Sequence, residues 1–100
     1  MDIFNNGATF TVTVADTSVG IPAANLQPTT GALQGFNMEI ATIYAVGALY
    51  VETGGGAATT AGFPMAAGDS LQLTGYENLT KVRFIRNTTS TSIVVIPSYR

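Results

Sequence analysis

Residues 8–14 read Ala8-Thr9-Phe10-Thr11-Val12-Thr13-Val14, with Phe10, Val12 and Val14 on one parity and threonines on the other. A period of two in β-branched and aromatic residues is a half-buried strand, because successive strand side chains point to opposite faces. The pattern returns in the last third. Leu71 and Leu73 alternate with Ser70, Gln72 and Thr74, and Val82 and Phe84 alternate with Lys81 and Arg83. Asn78 closes a turn opened at Gly75, and Asn87-Thr88-Thr89-Ser90 reads as a polar hairpin loop. Residues 91–96 form the closing strand, ended by Pro97, and Ile93, Val94, Val95 and Ile96 make it apolar on both faces. An exposed edge of that composition invites aggregation, so this strand must be central or covered by another subunit.

The middle of the chain is less regular. Residues 15–36 carry Gly20, Pro22, Pro28, Gly31 and Gly35 and read as a long loop holding one extra short strand. Residues 23–27 allow a brief helix that Pro28 would stop. Residues 37–52 supply two strands separated by Gly47-Ala48. The first has apolar groups on both faces, and Leu49 and Val51 resume alternation in the second. Gly54-Gly55-Gly56 opens a loop of small residues, but no lysine follows in the spacing that a phosphate-cradling loop requires. Short strands punctuated by Gly, Pro and Asn turns predict an all-β fold: an antiparallel β-sandwich, jelly-roll-like, of seven or eight short strands. A chain of 100 residues makes this one domain, 1–100, with residues 1–7 as a candidate N-terminal arm.

Composition narrows the chemistry. Charged residues are 10% of the chain, and cysteine, histidine and tryptophan are absent. Thiol and histidine catalysis, Cys/His zinc sites and disulfides are therefore excluded. Four basic residues against six acidic ones do not make a nucleic-acid footprint. The longest apolar-leaning stretch, residues 40–51, is too short to span a bilayer as a helix. No basic, apolar leader opens the sequence, so synthesis and initial residence in a cytoplasm are expected. Asp2, Asp16, Glu39, Glu52, Asp69 and Glu77 fall in no hydrolytic or calcium-binding motif and read as surface acids. Lys81, the single lysine, lies beside Arg83 and reads as structural. Tyr44, Tyr50, Tyr76 and Tyr99 could line a sugar platform, or pack as rim and core. No catalytic, cofactor or metal residue is assigned, and no enzymatic activity is expected. A domain of this size buries only somewhat over ~60% of its unfolded surface, so association with other subunits is the remaining stabilising device.

One stretch carries a family resemblance. Ala48-Leu49-Tyr50-Val51, a small-residue loop, Gly62-Phe63-Pro64-Met65-Ala66-Ala67-Gly68-Asp69-Ser70-Leu71, and Asn78-Leu79-Thr80-Lys81-Val82 follow one another. This succession resembles small β-sandwich structural proteins of tailed bacteriophages, including capsid cement (decoration) proteins. In that reading Phe63-Pro64-Met65 covers the core edge, Gly68-Asp69 turns, and Ser70-Leu71 begins the next strand. The resemblance implies a virion protein on the capsid surface that self-associates, with a trimer favoured, and binds the major capsid protein. Contact residues expected on that reading are Ile3 and Phe4 in the arm, Phe36 at the loop end, Val94 and Ile96 in the last strand, and Tyr99 and Arg100 at the tail. The alternatives are a tail, baseplate or head–tail structural protein, or a small glycan-binding, lectin-like module.

Overall fold

The computed structural model describes residues 4–100. Its elements run β1 (Asn5–Asn6), β2 (Phe10–Val14), α1 (Ala23–Leu26), β3 (Met38–Ala45), β4 (Leu49–Glu52), β5 (Phe63–Met65), β6 (Ser70–Thr74), α2 (Tyr76–Lys81), β7 (Arg83–Arg86) and β8 (Thr91–Tyr99). The larger sheet has the order β1-β8-β3-β6, with β2 beside β1 on the same flank of β8; the smaller is β5-β4-β7. All pairings are antiparallel.

Strands pair first with last. β2 meets β8, Val19 makes a single bridge to Phe84 of β7, β3 meets β6, and β4 meets β5. This is a long hairpin, turning in the glycine-rich loop after β4, that has rolled up so that β8 also reaches β3 and β7 reaches β4. Such rolling defines a jelly roll, the expected sandwich architecture. The second strand of the roll has shrunk to the Val19 bridge, which lies inside the long loop of residues 15–36.

The core follows from the alternation. Val12, Val14, Ala41, Ile43, Ala45, Ile93 and Val95 face inward from the large sheet and meet Leu49, Val51, Met65 and Phe84 of the small one. Leu26 of α1 and Leu79 of α2 close one end. Where a turn was expected from Gly75 to Asn78, the chain forms α2 instead. Gly75 enters it at φ +95°, a region that L side chains rarely adopt, and Leu79 is buried one turn later. The last strand also departs from expectation, because it continues through Pro97 to Tyr99. Val46 donates to the Ser92 carbonyl, and Asn37 and Arg100 exchange hydrogen bonds, so the even positions of β8 bond to β3. Pro97 is odd, so its missing N–H falls on the flank of β1 and β2, opposite Gly7 between the two strands, and takes no hydrogen bond from the ladder to β3.

Of the candidate arm, residues 1–3 lie outside the described residues and part of the remainder forms β1. Asn5 and Asn6 pair with Tyr99 and Ser98 of the same chain, filling the flank of β8 that β2 is too short to cover. Gly7 donates to the Pro97 carbonyl and lies so close to the Tyr99 ring that a side chain would collide with it.

Candidate association surface

β8 has partners along both flanks, so the protection that its composition demands comes from within the chain. What stays open is one face. The strand register sets the outward side chains of the large sheet in three rows: Thr11, Val94, Tyr44, Ser70; then Ile96, Thr42, Gln72; then Ser98, Ile40, Thr74. Val46 extends the apolar centre at the end of β3. Ile96 is 52% exposed, Val46 49% and Tyr44 43%. None of these side chains is charged. The acids and bases gather elsewhere: Glu52 opposite Arg83 on the small sheet, Glu77 and Lys81 on α2, and Asp16 and Asp69 in connections.

Several carboxylates have local structural employment. Asp69 accepts from the Ala66 amide at 2.8 Å, Glu52 from the Gly54 amide at 2.8 Å, and Glu39 from the Tyr76 amide at 3.1 Å. Arg83 Nη1 donates to the carbonyls of Thr80 and Val82, at 2.8 Å each. Among the described residues, no three acidic side chains converge as a metal-binding group.

The expected contact residues fall in four places. Ile3 lies outside the described residues. Ile96 and the half-buried Val94 belong to the open face. Phe4, Phe36 and Arg100 are exposed at the far end of the large sheet, with the Arg100 guanidinium 5.3 Å from the Phe4 ring centre. Phe36 borders a shallow hollow formed with α1 and the following loop. Tyr99 is the exception. It is 3% exposed, and its hydroxyl donates to the Asn25 carbonyl at 2.6 Å, so it is a core residue rather than a tail contact. Burial pushes its hydroxyl pKa up.

The tyrosines do not share a surface. Tyr44 stands on the outer face of the large sheet, Tyr50 on that of the small sheet, Tyr76 packs against the core from α2, and Tyr99 is inside. Phe63 also differs from expectation. Met65 covers the core edge, but Phe63 is 69% exposed and projects beside Leu71. Tyr44 and Val46 were legible in the two-faced apolar pattern of β3, whereas no sequence signal marked Phe63 as outward.

No family model, curated protein or solved structure matches the chain.

Proposed function

We propose that the chain is a non-enzymatic structural protein of a tailed-phage virion, of the capsid cement kind, which oligomerises and stabilises joints between major capsid protein subunits. The charge-free outer face of the large sheet, with Tyr44, Val46, Val94 and Ile96 at its centre, supports this reading most directly. Identical charges repeated over a lattice repel one another, and a threonine- and serine-rimmed apolar stripe avoids that cost. Four strands about 4.8 Å apart and five residues long give roughly 300 Å² of sheet plane, so covering it buries on the order of 600 Å² over both partners. That is below the size of a free-standing interface, and a cement protein gains its hold by engaging several subunits at once.

The test is co-sedimentation of the purified protein with emptied shells of its virion. Saturable binding at hundreds of copies per particle, abolished by Ile96→Lys, is the expected result. No binding overturns the reading, and saturation at a dozen copies or fewer moves the protein to the tail.

A further inference from the structure

The sandwich is closed on one side and open on the other. On the closed side the chain passes from β2 to β7 through Ala15, whose carbonyl accepts from Arg86, and through the Val19 bridge. On the open side two edge strands, β5 and β6, stand bare. β5 carries Pro64 at its centre, a common way to blunt an edge. β6, Ser70-Leu71-Gln72-Leu73-Thr74, has no proline, charge or bulge.

The hydrogen-bond phase of β6 can be read from its ends. Ala45 donates to the Asp69 carbonyl and Gly75 to the Glu39 carbonyl, so odd positions bond to β3. Ser70, Gln72 and Thr74 therefore direct their N–H and C=O groups out of the edge. The Thr74 carbonyl is already taken by the Asn78 side chain at 2.8 Å. We infer that this edge pairs with β6 of a second copy, antiparallel about a two-fold axis at Gln72. This names the self-contact of the proposed assembly and rests on that reading.

The register is self-complementary. Gln72 faces Gln72 of the second copy and exchanges two hydrogen bonds with it. Each Thr74 N–H reaches the other chain's Ser70 carbonyl, and Leu71 falls opposite Leu73 on the inner side. Clefts of ≈ 240 and ≈ 350 Å³ flank Phe63 and Leu71, and the second copy's leucines approach them. No like charges meet. Because the axis is perpendicular to the sheet, both charge-free faces end on the same side, doubling the docking plane. The contact is isologous and closes as a dimer, in place of the three-fold association that the family resemblance implies.

The chain has no cysteine, so one introduced thiol can form a disulfide only between chains. Directly opposed residues in a hydrogen-bonded antiparallel pair have Cα atoms about 5.5 Å apart, within disulfide range. Gln72→Cys is expected to cross-link to dimer under mild oxidation, at least tenfold faster than Thr13→Cys, which lies near the opposite edge of the same face. Sedimentation velocity over a concentration series is expected to show a wild-type dimer, with the dissociation constant raised at least tenfold by Gln72→Pro. Wild-type association without preferential cross-linking at residue 72, and unweakened by Gln72→Pro, overturns the β6 contact and leaves the assembly reading standing. A monomer at every concentration, with no binding to shells, overturns both.

Discussion

Replacing Tyr99 by Phe tests the packing at the end of the large sheet. Tyr99 is 3% exposed, pairs with Asn5 on one flank and Met38 on the other, and donates from its hydroxyl to Asn25 at 2.6 Å. The ring remains in Tyr99→Phe, so the change removes one hydrogen bond and leaves a part-buried carbonyl without its partner. Such a loss costs about 1–2 kcal/mol. A second signature comes from ionisation. Burial raises the folded-state pKa of Tyr99 above its ordinary 10.0, while in the unfolded chain it titrates normally. Below pH 10 both states hold the proton and the full stability is present. Above it the unfolded state ionises first, so wild-type stability falls until the pH passes the raised folded value. Urea unfolding at pH 7 and at pH 10.5 reads both effects: the wild type is more stable at pH 7, and its advantage over Tyr99→Phe narrows at pH 10.5. An equal gap at both pH values, or no gap at pH 7, would refute the placement of the hydroxyl in the interior.

Further expectations follow from the core and the open face. Phe84 is fully buried between the sheets, so Phe84→Ala is expected to cost about 3–5 kcal/mol in urea unfolding, a large share of a small domain's stability. Gly7→Ala forces a methyl group onto the Tyr99 ring and is expected to cost about 1–3 kcal/mol, visible as a lowered Tm. Ile96→Lys changes a side chain that is already half exposed, so its unfolding free energy is expected to stay within about 0.5 kcal/mol of wild type while shell binding is lost.

The architecture was readable wherever alternation was strict. Phe10, Val12 and Val14 point inward as their parity demands, as do Leu49, Val51 and Phe84. The two-sided apolar character of residues 93–96 required β8 to be central or covered by another subunit, and the structure takes the first course, with partners on both flanks. Features decided by distant residues were not readable. Pro97 normally ends a strand, and it is tolerated here because its nitrogen points to the flank between β1 and β2, away from the continuous ladder to β3. Tyr99 resembled an exposed tail, and what holds it inside comes from distant residues, the Asn25 carbonyl and Met38 beside it in the sheet. Gly75 appeared as a simple turn, whereas the buried Leu79 draws the following residues into α2. For the candidate surface, composition indicated a quiet, weakly charged protein. Only the register showed that the large sheet's outward rows contain no charge, and only the hydrogen-bond phase showed which backbone groups β6 leaves unpaired.

Hydroxyl-radical footprinting of the protein, free and bound to emptied shells, measures directly which surface the virion covers. Tyr44, Val46 and Ile96 are expected to lose reactivity on binding, while Tyr50 on the opposite sheet keeps it. Unchanged reactivity at those three residues in the bound protein would contradict the assignment of the charge-free face as the docking surface.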